Sequence, residues 1–264
     1  ADHSSPGEHP VSDSTGQNPA GGRGDAGYFR LAERPLQSLL FILPILIAYE
    51  AGTRLLAASV EGSAAAHTQI VAFTLMQRFF VMVGATDAML PALAVVVVLL
   101  AWHIARKDPW TLHPGVALGM AVESAVLAVP LLGLGFAVAN HLPLWRVDSE
   151  TANLIILSLG AGVYEEAVFR LGALTLINLL LCDVLGVSAR TGVVLSVIAS
   201  SVLFAIYHYW GTEAFAWRSM VFRTAAGAYF AILFLTRGFG VTAGSHAAYD
   251  ILIAGMRHFA TGAT

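Results

Sequence analysis

The chain has 264 residues, of which 57% are hydrophobic and only 12% are charged. A soluble domain carries about 25% charged residues, so this composition excludes an ordinary soluble protein and indicates an integral membrane protein. The net charge of -3 provides no basic surface for nucleic acid, and the single cysteine, Cys182, excludes a disulfide framework and a cysteine-based zinc site.

The chain begins with a polar segment. Residues 1–27 are rich in Ser, Gly, Pro, Asp and His and contain almost no large apolar side chain. Such a segment cannot bury enough apolar surface to offset the entropy lost on folding. We therefore expect a disordered N-terminal tail over 1–27 and a single transmembrane helical domain over 28–264.

Eight apolar segments follow the tail, separated by polar or Gly- and Pro-containing turns. They cover about 36–58, 69–83, 88–105, 114–139, 153–181, 191–210, 219–236 and 239–256. The segment 69–83 is short and contains Gln77-Arg78, which favours an interfacial or partly embedded helix. The pattern predicts an all-α polytopic transmembrane bundle of about seven to eight helices.

Three isolated charges in the first half are assigned structural roles. Glu50 and Arg54 are four residues apart in the first apolar segment, so they can pair on one helix face. Glu123 lies in the segment 114–139. We expect these groups to join helices rather than to act chemically, as buried polar groups in membrane bundles often do.

Three short patterns place ionisable groups inside the apolar second half of the chain. They are Glu165-Glu166-Ala-Val-Phe-Arg170, Phe204-Ala-Ile-Tyr-His208 and His246-Ala-Ala-Tyr-Asp250. A charge near the bilayer centre costs about 2.5–3.5 kcal/mol on insertion scales. These side chains are therefore expected to face one another across the bundle, where such a cluster indicates a functional site.

The first pattern separates two glutamates by role. Glu166 and Arg170 are four residues apart and share a helix face, so a salt bridge would keep that carboxylate ionised. Glu165 points about a quarter-turn away. It is left free to take and give protons.

The other two patterns supply imidazoles. His208 follows Phe204 by four residues, so the phenyl ring can buttress the imidazole. Asp250 follows His246 by four residues, and a carboxylate so placed can orient an imidazole and select its tautomer. Together the three helices offer an acid, a base and a hydrogen-bond donor, although each pair taken alone could also be plain interhelical contact.

The ordered trio EExxxR, FxxxH and HxxxN/D resembles the CPBP family of intramembrane proteases. This family contains the CAAX prenyl proteases and the bacteriocin-processing proteins, also called ABI proteins, and the resemblance covers about 150–256. It implies an eight-helix bundle with an intramembrane catalytic cavity and the hydrolysis of peptide bonds in or near the membrane.

The resemblance also implies residue roles. Glu165 and His208 would activate a water, and Glu166 and Arg170 would support the first carboxylate. His246 and Asp250 would lie at the oxyanion position.

Position 250 departs from the pattern of many prenyl-protease members, which have Asn there. An ionised Asp cannot donate a hydrogen bond to an oxyanion. Asp250 is therefore either protonated or used to orient His246, which then becomes the donor.

Several alternatives stay open at this point. Glu165, His208 and His246 could instead hold zinc in a metalloprotease, although HExxH is absent and no cofactor is the favoured expectation. A proton-coupled transporter or a catalytically inactive scaffold could also carry such residues.

The expected partners are the lipid bilayer and a membrane-associated protein or peptide substrate, with no nucleic acid. Prenylated CAAX proteins, bacteriocin leaders and C-terminal sorting tails are all candidate substrates. A bacterial inner membrane is the expected location.

Overall fold

The computed structural model describes residues 23–59, 70–139, 151–210 and 213–261, and within these ranges it contains helices and no strand. The α-helices are α1 Arg23–Ala32, α2 Pro35–Ser59, α3 Val71–Met82, α4 Leu90–Arg106, α5 Pro114–Ala139, α6 Thr151–Glu166, α7 Thr175–Leu179, α8 Ala189–Tyr207 and α9 Trp217–Thr261. The predicted all-α architecture is confirmed.

The predicted N-terminal tail falls mostly on residues 1–22, which lie outside the described residues. Its expected boundary at residue 27 falls inside α1, because that helix begins at Arg23.

Among the described residues, five helical stretches are long and apolar enough to cross a bilayer. They are Pro35–Leu56, Pro114–Val138, Asn153–Val184, Ala189–Trp210 and Trp217–Met256. Many apolar side chains of these helices are exposed on the surface of the protein, where they can contact lipid. The protein is an integral membrane protein of the helical-bundle type.

Two shorter apolar helices complete the first half. α3 has 12 residues, so it extends only about 18 Å and falls well short of a bilayer core of about 30 Å. This length agrees with the partly embedded helix predicted over 69–83. α4 has 17 residues and is slightly shorter than the span expected over 88–105, because the helix begins only at Leu90 with a proline in its first turn.

The helix α9 is a hairpin rather than one long rod. Its 45 residues would extend about 68 Å if straight. Gly238 interrupts it with φ 78° and ψ 177°, a conformation that is essentially restricted to glycine. The chain reverses direction at Gly238. The evidence is that Phe230, which precedes this glycine, and His246, which follows it, stack their rings at 4.5 Å. The two halves match the separate spans predicted over 219–236 and 239–256.

This hairpin is the centre of the bundle. It packs against α2, α5, α6 and α8. Close helix approaches depend on glycines: a Cβ at Gly162 of α6 would lie 2.5 Å from the carbonyl oxygen of Ala243. A Cβ at Gly227 would lie 3.0 Å from the Cα of Ser201 in α8. The backbones carrying the three motifs are thereby brought together.

The isolated charges of the first half do join helices. The Tyr164 hydroxyl donates to Glu50 at 2.6 Å, linking α6 to α2. Arg237, beside the hairpin turn, donates to both carboxylate oxygens of Glu123, at 2.5 and 2.9 Å. The Tyr28 hydroxyl donates to the same carboxylate at 2.6 Å, which ties α1 to α5.

Candidate active site

The three sequence motifs meet at one point inside the bundle. Glu165 Oε2 lies 3.9 Å from His208 Nε2 and 3.7 Å from His246 Nε2. The three side chains come from α6, from the 3₁₀ turn His208–Trp210 directly after α8, and from the second half of α9. The predicted convergence of one carboxylate and two imidazoles therefore exists in the structure.

The backbone of the first motif changes geometry where the charges lie. α6 ends at Glu166 and continues as a π-helix over Ala167–Leu174. Arg170 lies in this wider segment. Such segments are rare and occur frequently at functional sites, because the extra residue in the turn redirects the side chains.

Glu166 joins two partners. Its Oε2 lies 3.0 Å from Arg170 Nε, which is the predicted pair four residues apart. Its Oε1 lies 2.7 Å from His246 Nδ1. Glu166 therefore supports the imidazole of His246, whereas the family resemblance implied that it supports Glu165.

Arg170 is fully buried, and its charge is compensated on several sides. Besides Glu166, it donates to the carbonyl oxygen of Gly227 at 3.0 Å. Its guanidinium also lies 4.8 Å from the ring centre of Phe204 and 5.7 Å from that of Phe230. A buried charge is tolerated only with such pairing. Because these contacts fix the guanidinium of Arg170, they also hold the Glu166 carboxylate that pairs with it.

The imidazole of His208 is held through Nδ1, whereas its Nε2 faces Glu165. Nδ1 lies 2.7 Å from the carbonyl oxygen of Phe204. A carbonyl can only accept, so Nδ1 carries the hydrogen and Nε2 of the neutral ring is an acceptor directed at Glu165. The Phe204 ring lies 5.0 Å from the imidazole, which agrees with the predicted buttress.

His246 and Asp250 contact each other through Nε2 of the imidazole. Asp250 Oδ2 lies 3.5 Å from His246 Nε2, and not at Nδ1, which Glu166 occupies. The orienting hydrogen bond to His246 thus comes from Glu166 and not from Asp250. Phe230 stacks on the imidazole, with 16° between the ring planes.

The side chains of the site differ in their exposure. The side chains of Glu166 and Arg170 are fully buried, and that of Glu165 is nearly so. The side chain of His208 is 21% exposed and that of Asp250 is 30% exposed. A substrate would therefore approach past His208 and Asp250.

Two neighbours of the site were missed by the sequence reasoning. Tyr207 is buried directly before His208, and the centres of the two rings lie 4.3 Å apart. Its position directly before His208 within the second motif was an available signal. Phe230 offered no signal, because it is one aromatic residue among many in an apolar helix.

The residues can also be tested against zinc. Each imidazole has Nδ1 bonded to a carboxylate or carbonyl and Nε2 directed at Glu165, which is the arrangement of zinc-binding histidines. Their donor chemistry therefore fits zinc, with Glu165, His208 and His246 as the ligands. As they stand, no three His, Cys, Asp or Glu side chains of the described ranges are spaced to hold a metal.

The comparison with known protein families matches the part of the chain that carries the three motifs. Residues 148–252 match the model of the type II CAAX prenyl endopeptidase Rce1-like family. No curated protein and no solved structure matches the chain. The family match covers all three motifs and confirms the resemblance to the CPBP proteases.

Proposed function

We propose that this Rce1-like integral membrane protein is an intramembrane endopeptidase, hydrolysing a peptide bond of a membrane-associated protein or peptide. One observation carries the proposal. Glu165 Oε2 lies within 4 Å of the Nε2 atoms of both His208 and His246 inside an apolar bundle. The cost of burying such groups indicates a chemical role.

The first step is the activation of water. Separations of 3.7 and 3.9 Å exceed a direct hydrogen bond and suit a bridging water oxygen between Glu165 and an imidazole. Glu165 takes a proton from this water while the water oxygen bonds to the scissile carbonyl carbon. His208, whose Nε2 is an acceptor, helps to orient the water.

The second step is the stabilisation of the oxyanion. The carbonyl oxygen gains negative charge as the water adds, and a donor must face it. A protonated His246 would donate through Nε2, since Nδ1 donates to Glu166. The ionised Glu166, held by Arg170, favours this charged imidazole in the way that the triad aspartate stabilises its histidine in serine proteases.

The third step returns the proton. The tetrahedral intermediate collapses to a carboxyl product, and the bond between carbon and nitrogen breaks. Glu165 then gives the proton to the departing amine, so it acts first as base and then as acid. No net proton is taken up within the site.

Zinc-dependent hydrolysis by the same residues is the second candidate. It is favoured by the bonded Nδ1 atoms of His208 and His246, which leave both Nε2 atoms available to a metal. Bound zinc would acidify a water and polarise the substrate carbonyl. We favour the metal-free glutamate mechanism, because Glu165 is then available as the base.

The location of the site supports the proposed substrate class. The motifs lie on membrane-crossing helices, so the scissile bond must reach the site from a substrate associated with the bilayer. Prenylated proteins, bacteriocin leaders and C-terminal sorting tails are the candidate substrates. We further propose that the protein lies in a bacterial inner membrane and has no nucleic acid partner.

The test uses purified protein in liposomes with a library of lipid-anchored and membrane-spanning peptides. We expect cleavage, read by mass spectrometry, that is lost at least roughly 100-fold in Glu165→Gln. Glu50→Gln, which neutralises another buried intramembrane glutamate, is the matched control and should retain cleavage. Wild-type cleavage by Glu165→Gln would contradict the proposal, and proton flux without cleavage would favour a transporter.

A further inference from the structure

The connection between α8 and α9 carries three exposed aromatic residues to which the proposed mechanism assigns no task. Trp210, Phe215 and Trp217 are 63%, 56% and 74% exposed. Trp210 ends the apolar stretch Ala189–Trp210, and Trp217 begins the stretch Trp217–Met256. The chain therefore leaves its apolar region at one tryptophan and enters it again at the other. We call these three residues the aromatic patch.

The aromatic patch is held together by direct contacts. The ring of Phe215 lies 5.2 Å from that of Tyr209 and 5.0 Å from that of Trp217. The hydroxyl of Tyr209 donates to the carbonyl oxygen of Ala216 at 3.2 Å. These contacts join the two sides of the connection into one surface, which is continuous with the membrane-crossing helices that it links.

An ion pair beside the patch indicates that this end of the bundle is not deep in the bilayer. Arg223 donates to both carboxylate oxygens of Glu213, at 2.8 and 2.7 Å, and Ser219 donates to the same carboxylate at 3.3 Å. The Arg223 guanidinium lies 5.7 Å from the ring centre of Tyr209. The two charged side chains are 19% and 15% exposed. Such a pair near the end of a membrane helix suits the headgroup level, because long charged side chains there extend to water.

The same end of the bundle carries His208. Tryptophan is enriched where a bilayer meets water, because its ring is apolar and its N–H group needs a polar partner. His208 precedes Trp210 by two residues within one 3₁₀ turn, so about 4 Å separates them along the axis. Half of the hydrocarbon core is about 15 Å thick. If Trp210 lies at the headgroups, His208 lies just below them and not at the bilayer centre.

We infer that the aromatic patch lies in the phospholipid headgroup layer and fixes the depth at which His208 faces its substrate. The partner of this surface is the headgroup layer itself, since the patch continues the lipid-facing surface of the two helices. The consequence for the substrate rests on the proposed peptidase function. The scissile bond is then close to the point where the substrate leaves the membrane, and not in the middle of a span.

The first test measures depth in liposomes of phosphatidylcholine and needs no substrate. Nitroxide labels are placed in a Cys182→Ser background at Val221→Cys or Ile198→Cys, two exposed positions that leave the patch intact. Val221 is one turn beyond Trp217, about 6 Å along α9, and Ile198 is about 15 Å from His208 along α8. Electron paramagnetic resonance with oxygen and a water-soluble nickel complex gives both depths. We expect the label at Val221 within roughly 10 Å of the phosphates and the label at Ile198 near the centre. A label at Val221 that lies in bulk water, or as deep as the one at Ile198, would overturn the inference.

The second test asks whether the patch fixes this depth. The label at Val221 is compared in short-chain and long-chain phosphatidylcholine. We expect its distance from the phosphates to change by less than about 1 Å in the otherwise unaltered protein. In Trp210→Ala/Trp217→Ala it should change by about 3 Å, half the difference between a thin and a thick cell membrane. Trp110→Ala is the matched control, because Trp110 is 65% exposed and lies in the connection between α4 and α5. A depth that stays constant without the two tryptophans, or that changes equally in Trp110→Ala, would overturn the anchoring role.

A third measurement connects depth to cleavage. On a membrane-spanning peptide, we expect the protein to cut within about one helical turn of the end of the span. Cleavage at the middle of the span would overturn the inference even if the labels have the expected depths. If the protein cleaves no peptide, the peptidase proposal fails, and the label depths alone decide whether the aromatic patch lies at the headgroups.

Discussion

Glu166 and His246 are hydrogen-bonded partners across the interface between α6 and the second half of α9. Oε1 of Glu166 lies 2.7 Å from Nδ1 of His246, and the two residues are 80 positions apart in the chain. The same carboxylate pairs with Arg170. A charged chain of guanidinium, carboxylate and imidazole therefore leads from the buried interior to the site.

Glu166→Gln should inactivate the protein. The amide is neutral, so it no longer stabilises a charged imidazole at His246, and loss of the equivalent carboxylate in serine proteases costs about 10⁴-fold. We expect kcat to fall at least 100-fold with the protein still inserted. Peptide cleavage in liposomes measures this effect, with Glu50→Gln as the control. Cleavage within threefold of wild type would contradict a role in activity for the linked charges of Arg170, Glu166 and His246.

Arg170→Ala should destabilise the fold far more than Arg54→Ala. Both arginines pair with a glutamate four residues earlier in the chain, but Arg170 is fully buried and the Arg54 side chain is 56% exposed. Removing one partner of a buried pair costs about 3–5 kcal/mol, whereas an exposed pair contributes about 0–1 kcal/mol. Reversible unfolding in mixed micelles gives both values. Equal losses would show that burial does not set the strength of the Glu166–Arg170 pair.

Asp250→Asn should retain activity within about tenfold. Glu166 already occupies Nδ1 of His246, so the orienting role does not require Asp250. If Asp250 instead donates to the oxyanion while protonated, wild-type activity should fall at higher pH and the Asn variant should not follow. The pH–rate profiles of both proteins on one peptide measure this difference. An Asn variant that is inactive at every pH would restore orientation of His246 as the function of Asp250.

Activity is expected to survive metal removal. In the glutamate mechanism Glu165 acts as the base, so prolonged dialysis against a chelator should change kcat less than about twofold. Elemental analysis of the purified protein accompanies the assay. Stoichiometric zinc, together with activity restored only by zinc, would establish the metalloprotease alternative with Glu165, His208 and His246 as ligands.

Gly238→Ala should weaken the bundle. The backbone at Gly238 has φ 78° and ψ 177°, and a Cβ would lie 3.1 Å from the Cα of Glu33. We expect a loss of at least about 2 kcal/mol in unfolding free energy. Gly84→Ala is the control, because it shares a positive φ of 86° but meets no atom within 4 Å. A smaller loss at Gly238 than at Gly84 would argue against the tight hairpin packing.

The sequence by itself determined most helices and the pairs within them. Hydrophobic run lengths placed most spans to within a few residues, because a helix must be long and apolar to cross a bilayer. The pairs Glu166–Arg170 and His246–Asp250 also followed from spacing, since residues four apart share a helix face. The turn at Arg237-Gly-Phe-Gly240 was readable because glycine permits a positive φ.

Only the tertiary structure decided which partners meet across helices. The hydrogen bond between Glu166 and His246 depends on which helix faces touch and at what depth. Those contacts are set by close approaches such as Gly162 against Ala243, and by the reversal at Gly238 that brings Phe230 onto His246. Helical periodicity describes one helix at a time, whereas the rotation and offset between helices depend on side-chain packing along their whole length.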